Sequence, residues 1–282
     1  MSDDYLSMLI LAVAIIIANI TEIIFITKVR RNMSLFQLLL FSLAVADLLV
    51  GISGCCIAVL ELNGVKIEKL QLSSIVCFAI AASVNHVNAI TIDRLLAVRW
   101  PLKHKYLVSR KRISICIAVT WCVSIVMLLP MFVSGNDDLT KYILSISILT
   151  YSGAMVFVYS YIIYRTVVVR RKTLITVAHG TENAVQTSKD VQLVVVVIIL
   201  TIIFMVCSIP FCVYAFITEA YPRTIKDLLI SNSLCNPFVY FFWKLLQMKF
   251  RTTQHARTQK RVTQTSEEQG AITQRQNKGT IA

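Results

Sequence analysis

Charge is scarce in this 282-residue sequence: 15% of its residues are Asp, Glu, Lys or Arg, against roughly 25% in a soluble domain. With 56% apolar residues and a mean hydropathy of +0.70, that deficit points to a bilayer. Glycine (8) and proline (5) are few, which argues against a low-complexity or disordered chain. The start, MSDDYLSM, is acidic, with no positive n-region and no small-residue cleavage site after the first apolar run; that run is expected to stay as a span. HExxH, GxSxG, Walker and paired-carboxylate signatures are absent, so no enzyme is expected. All eight cysteines fall inside apolar segments. They read as small buried thiols, with no outer disulfide and no metal-ligand spacing. There are no internal repeats and no inverted pair of broken helices of the transporter kind.

What the chain does have is apolar runs long enough to cross a membrane, which takes about 20 residues. Seven are predicted: Leu6–Thr27, Leu35–Leu60, Leu70–Ile92, Ile113–Ser134, Tyr142–Val169, Val191–Thr218 and Thr224–Trp243. The fold class is therefore an all-α membrane protein, a seven-transmembrane helix bundle. The third run is the weakest by hydropathy, carrying Ser73, Ser74, Ser83, Asn85, His86 and Asn88. Lipid cannot hydrogen-bond such groups, so this span is expected at the bundle centre. After the seventh run, FFWKLLQMKFR alternates apolar and basic residues at helical spacing, which suits a short amphipathic helix on the inner membrane surface.

The net charge of +13 would suggest nucleic acid for a soluble protein. In a membrane protein its placement sets the orientation instead. With the N terminus outside, only Lys66, Lys69, Lys141, Arg223 and Lys226 of the 28 basic residues fall on the outer side. The rest gather in the inner connections and the tail. The expected domains are a short extracellular N terminus (1–5), a receptor domain (6–251) and a disordered cytoplasmic tail (252–282). The expected location is the cell membrane, with the C terminus in the cytoplasm.

Several polar residues stand where apolar ones would be cheaper. Asp47 lies mid-span with no Lys or Arg near it on its own helix. It is either a protonated, hydrogen-bonded acid or part of a site for a cation or water. Ser83, Asn19, and the i, i+4 pair Asn232 and Asn236 are its candidate partners. Oxygen ligands of this hardness suit sodium or water rather than a transition metal. Pro210 and Pro237 each remove a helix hydrogen bond within a span, giving static kinks or the hinges of a two-state bundle. Asp93 and Arg94 sit at the inner mouth of the third span, followed by a basic loop marked by a proline, RWPLKHK. Asp190, opening the sixth run at the same level, is a candidate latch partner for Arg94. Tyr159 and Tyr240 can offer hydroxyls to an alternative arrangement.

These residues together resemble the rhodopsin-like (class A) G-protein-coupled receptors. The carriers are LAVAD around Asp47, Asp93-Arg94-Leu95 followed by AVRWPL, Trp121, FxxCxxP at Phe204, Cys207 and Pro210, and NPxxY at Asn236, Pro237 and Tyr240. Each motif is weak alone; five in order, one per expected span, are specific, and they cover Leu6 to Arg251. The resemblance implies that Arg94 meets the C-terminal helix of a heterotrimeric G protein's α-subunit, with Leu102 packing into that subunit. It implies an allosteric sodium ion framed by Asp47, Ser83, Asn232 and Asn236, and a Phe204–Pro210 hinge. It implies that Tyr159 and Tyr240 turn inward in the active form, and that Asp190 is the latch acid of the inactive one. Arrestin and receptor kinases are implied partners, with Thr252, Thr253, Thr258, Thr263, Thr265 and Ser266 as candidate phosphorylation sites.

The departures narrow the ligand. Leu95 replaces the motif tyrosine, Ser208 the usual sixth-span tryptophan, Lys69 the usual third-span cysteine, and Tyr151 the fifth-span proline. The missing disulfide and the minimal connection before the fifth span are similar to the melanocortin, cannabinoid, lysophospholipid and adenosine branch, to melanocortin-like receptors most. Val76 stands where aminergic receptors carry an acid, and Ile230 where opsins carry their lysine. Neither a biogenic amine nor retinal is expected; a peptide, lipid or nucleoside is. The expected pocket wall is Val76, Cys77, Ile80, Ser208, Phe211, Cys212 and Lys226. The rival readings are a small transporter or channel using the Asp47 core, and a receptor active without ligand.

Overall fold

A computed structural model of the chain describes residues 2–29, 33–65, 69–127, 129, 137–176, 181–217, 224–245 and 248. Residues 1–240 form one compact unit and 241–282 another. In the second unit residues 241–245 continue a helix, while the expected surface helix beyond them and the tail at 252–282 lie outside the described residues.

The described residues are helical almost throughout. The helices are α1 (Ser2–Val29), α2 (Leu35–Leu62), α3 (Lys69–Arg99), α4 (Pro101–Leu107), α5 (Arg110–Val126), α6 (Asp137–Thr176), α7 (Thr181–Ile217) and α8 (224–245). Four stretches within them are long and apolar enough to cross a membrane on those grounds alone: Tyr5–Lys28, Leu35–Leu62, Ile75–Arg99 and Tyr142–Arg165, with Thr201–Ile217 a shorter apolar helix. The 18-residue windows that mark the α3 and α6 stretches are alike, with mean hydropathy 1.7 and 1.6.

Helix α3 is the centre of the unit, packed against α2, α5, α6 and α7. Residues 79–87 are buried without a break, so both faces of this helix meet protein. Its polar side chains therefore turn to neighbouring helices rather than to lipid. Along α1 and α2 the approach is close at Gly51. A Cβ there would lie 2.9 Å from Cγ1 of Ile16 and 3.2 Å from the Ala12 carbonyl oxygen, the small-residue contact that lets membrane helices meet.

Local signals set the helix ends. Ser34 and Gln37 form a capping box at the start of α2: Ser34 Oγ accepts from the Gln37 amide, and Gln37 Oε1 accepts from the Ser34 amide at 2.9 Å. Gly64 turns the chain out of α2 at φ 68°, a left-handed conformation that suits glycine. The third span was expected to end at Ile92, yet α3 runs to Arg99. Charges mark an exit from lipid, not the end of a helix; the stop comes at Trp100, whose backbone is disfavoured as helix by the proline after it. That proline opens α4 at its first turn, so part of the expected basic loop is helical. The polar connection expected at 170–189 is likewise mostly helix, belonging to α6 up to Thr176 and to α7 from Thr181.

Candidate functional site

Helices α1, α2, α3 and α8 carry the mid-bundle polar residues to one place. Asp47 is fully buried (0% exposed), and Asn236 Nδ2 donates to its Oδ2 at 2.6 Å. Ser83 and Ser233 flank the same carboxylate. Asn19 spends its amide N–H groups on the Ile15 carbonyl at 2.9 Å and the Ser233 carbonyl at 3.1 Å, which fastens α1 to α8. The Asn19 amide and one N–H of Asn236 are thus engaged. Left without a close hydrogen-bond partner among the described residues are buried oxygens: Asp47 Oδ1, Ser83 Oγ, Asn19 Oδ1 and Asn232 Oδ1. A cluster of oxygens around one carboxylate, three of them carbonyl or carboxylate acceptors and one a hydroxyl, fits a hard monovalent cation or water, so these residues fit the implied sodium ion.

A second acid lies close by. Glu22, one turn after Asn19 on α1, is 2% exposed and near enough to Asp47 and Tyr240 to feel their charges. Tyr240 also lies beside Gln37, and its ring meets Phe25 edge-on at 6.2 Å. Sequence reasoning passed over Glu22, although an acid in an apolar run was the signal that flagged Asp47.

One turn further along α3 than Ser83, and also facing α2, His86 braces three helices. Its Nδ1 lies 2.7 Å from the Ala82 carbonyl and its Nε2 2.8 Å from Ser42 Oγ, while Trp121 Nε1 donates to Ser42 Oγ at 3.1 Å. A carbonyl only accepts, so Nδ1 carries the proton and Nε2 accepts from the serine. The chain of bonds runs from Trp121 through Ser42 and His86 to Ala82 with every group satisfied. Trp121, a motif residue, thus acts as a strut between α5, α2 and α3.

Near the C-terminal end of α3, Asp93 and Arg94 are part of one cluster. Asp93 Oδ2 accepts from Arg94 Nε at 2.9 Å and from its Nη2. Asp93 Oδ1 faces Nε2 of His104, on α4, at 2.9 Å. The Arg94 guanidinium also lies over the Phe36 ring, 4.6 Å from its centroid, a cation–π contact that no sequence signal announces. One turn above, Thr91 Oγ1 and the Tyr159 hydroxyl are 2.7 Å apart, which ties α6 to α3. The arginine described here is therefore paired with its own neighbour. The latch to Asp190 concerns a side chain outside the described residues. Leu102 is 75% exposed on α4, free to meet a partner.

The residues expected to form the hinge and the ligand pocket lie on α3, α7 and α8. Phe204 is buried, and Pro210 sits inside α7, half-buried; Pro237 is buried in α8. Ile80, Phe211 and Cys212 are buried, and Cys212 lies beside Ser145 of α6. Val76 and Cys77 are half-buried and Lys226 is exposed. Ser208 is fully buried with its hydroxyl unpaired among the described residues. All eight cysteines are free thiols.

Known proteins are similar to this chain in sequence. The family described as "7 transmembrane receptor (rhodopsin family)" matches residues 18–240. The human 5-hydroxytryptamine receptor 2C is 31% identical over 143 residues, 48% of this chain; the match spans 31% of that receptor, about a third of its length. Mouse melanocortin receptor 5 is 23% identical over 80% of this chain and 76% of its own. A QRFP-like peptide receptor of Branchiostoma floridae is 25% identical over 82% of this chain and 71% of its own. The buried Asp47–Asn236 pair, the Asp93–Arg94 cluster and the Trp121 strut all lie inside the matched region, and the chain belongs to the rhodopsin family of seven-transmembrane receptors.

Proposed function

We propose that this multi-pass membrane protein passes the binding of an extracellular ligand to a heterotrimeric G protein. Arg94 carries the reading. It is held by the adjacent Asp93 and by the face of Phe36, with Tyr159 close enough to sense its charge. An arginine with such local partners can exchange them at modest cost, since part-exposed ion pairs are worth about 1 kcal/mol or less. Ligand binding shifts a two-state equilibrium: α7 swings about Pro210, Arg94 leaves Asp93, and the inner face admits the G protein beside Leu102. Asp190 is the acid that holds Arg94 in the closed form, and Tyr159 and Tyr240 serve the open one.

The polar core is the regulatory site of this reading. Asp47, Ser83, Asn232, Asn236 and Asn19 would hold a sodium ion, which supplies positive charge among acceptor oxygens and so favours the arrangement that keeps them together. For the ligand, the two relatives matched over four-fifths of this chain are named a melanocortin receptor and a peptide receptor. Val76 lacks the carboxylate an amine would need. A peptide is the class this supports, meeting the wall formed by Val76, Cys77, Ile80, Ser208, Phe211, Cys212 and Lys226. The receptor sits in the cell membrane with its N terminus outside. Its cytoplasmic tail, 252–282, is the substrate of receptor kinases and the recruitment site of arrestin.

The test is nucleotide exchange on a purified G protein by receptor-bearing membranes. Arg94→Ala is expected to lower exchange at least tenfold with surface expression intact. Unchanged exchange would remove the docking role.

A further inference from the structure

We propose that Cys207 of α7 and Cys235 of α8 form a peroxide-sensitive thiol pair, whose oxidation to a disulfide staples the hinge of α7 to the helix that carries Asn236. Formation of the bond is independent of the coupling reading above, whereas its effect on signalling rests on that reading.

Ser231 and Cys235 stand four residues apart on α8 and so share one face. Cys207 Sγ lies 3.9 Å from Ser231 Oγ, which places it at that face. Its thiol is near enough to Cys235 for the two to share a hydrogen bond. Ser231 Oγ donates its proton to the Leu228 carbonyl at 2.6 Å. It is therefore the acceptor for the Cys207 S–H, and the Cys207 sulfur in turn accepts from the Cys235 S–H. The bonds run in one direction, from Cys235 through Cys207 and Ser231 to Leu228. Cys207 is buried and Cys235 half-buried, while Cys212, the other buried cysteine, lies beside Ser145 of α6. A buried thiol alone acts as a small apolar residue; two in contact across two helices have a chemistry that neither has alone.

Loss of the Cys207 proton leaves a sulfur that faces the Cys235 S–H, a donor to the forming anion. Cys207 is thus the attacking thiol. It takes one oxygen of hydrogen peroxide: the O–O bond breaks, Cys207 becomes a sulfenic acid, and the other oxygen leaves as water. The Cys235 sulfur then attacks the sulfenic sulfur. The hydroxyl departs with the Cys235 proton as a second water, and an S–S bond of about 2.05 Å closes. The thiol pair has lost two electrons to the peroxide, which is reduced to water.

Cys207 lies three residues before Pro210, and Cys235 immediately precedes Asn236, whose amide donates to Asp47. Translation is small so close to a pivot, so the disulfide acts on rotation. It fixes the turn of α7 against α8 and holds the Asn236–Asp47 pair as it stands here. The arrangement in which Asp93 holds Arg94 is thereby locked.

The experiment treats the full receptor in lipid nanodiscs with hydrogen peroxide, alkylates the remaining thiols and maps the peptides by mass spectrometry. A linked peptide joining Cys207 to Cys235 should appear and be lost on reduction with a phosphine. Its absence after the exposed Cys116 and Cys122 have been oxidised would overturn the site, whether or not the receptor couples. In Cys235→Ala the resolving thiol is missing, so dimedone labelling of Cys207 should rise about fivefold over wild type. Stronger labelling of Cys235 in Cys207→Ala would overturn the order of attack. Peroxide should lower receptor-dependent nucleotide exchange about three- to tenfold in the wild type, and the reductant should restore it. Cys235→Ala and Cys207→Ser, each compared with itself before treatment, should not respond. A linked peptide with unchanged exchange, or an equal fall in wild type and Cys235→Ala, would overturn the lock.

Discussion

The mid-bundle core and the cluster near the C-terminal end of α3 each centre on one aspartate, and they are built on opposite principles. Around Asp47 the Asn19 amide and one Asn236 N–H are engaged and four buried oxygens, one of them a hydroxyl, are left over. Around Asp93 both carboxylate oxygens are engaged by cationic or proton-bearing side chains that reach toward water. A region short of positive charge gains from an added cation and is stabilised by binding one. A region whose acid has two suitors changes state by exchanging them. The first arrangement suits an allosteric brake, and the second a switch.

The sharpest way to break that contrast is to remove the core's charge. Purified receptor should melt at a higher temperature in sodium chloride than in potassium or choline chloride. The linkage contributes about 2.7 kcal/mol at a sodium concentration a hundredfold above its dissociation constant. Asp47→Asn should abolish the difference. Glu22→Gln, which keeps shape and hydrogen-bonding capacity, should leave it standing, because Glu22 shares the pocket's field without belonging to the Asn236–Asp47 pair. Loss of the sodium effect in both variants would mean that the two acids hold the ion together.

A smaller effect separates packing from charge. Gly51 lies one turn after Asp47, where an added methyl meets Ile16 at 2.9 Å and Ile15 at 3.0 Å. Gly51→Ala should cost about 1–3 kcal/mol as an overpacked contact, read as a lower melting temperature. It should displace α1 and weaken the sodium response without touching the Asp93–Arg94 cluster. Gly54→Ala is the control. Its nearest neighbours stand at 3.5 and 3.8 Å, ordinary contact, and alanine is the better helix former by up to about 1 kcal/mol. An equal loss in both variants would mean that α1 and α2 do not approach most closely at Gly51.

How much of this was legible in the sequence follows the kind of interaction. Asp47 and Asn236 were readable because a polar residue in an apolar run is costly and calls for a partner. Glu22 obeys the same rule, but it lies close to Lys28 and the basic end of its span, where an acid reads as interfacial. The span count needed only run lengths. The end of α3 was misplaced because lipid exit and helix termination are separate events. The Ser42–His86–Trp121 chain and the Phe36 face under Arg94 were hidden for a different reason. They depend on the rotation of α2 relative to α3 and α5, and an apolar ring gives no sign of the cation it will meet. His104 stood in plain view close to a proline in a basic loop, yet its contact with Asp93 required α4 to be a helix that turns it back onto that acid.

The smallest predicted effect bears on which state the inner cluster favours. Tyr159 was expected to serve the G-protein-bound arrangement, and here its hydroxyl is engaged with Thr91 at 2.7 Å, one turn above Arg94. Tyr159→Phe and Thr91→Val each remove that bond, and each should cost about 1 kcal/mol. The two residues share one interaction, so the double variant should cost less than the sum of the two. Nucleotide exchange then discriminates. If the Tyr159 hydroxyl also serves the open form, Tyr159→Phe should reduce exchange while Thr91→Val, which keeps that hydroxyl and leaves it beside Thr201, should not. An equal fall in the two variants would confine Tyr159 to the closed bundle and leave Tyr240 as the tyrosine available to the switch.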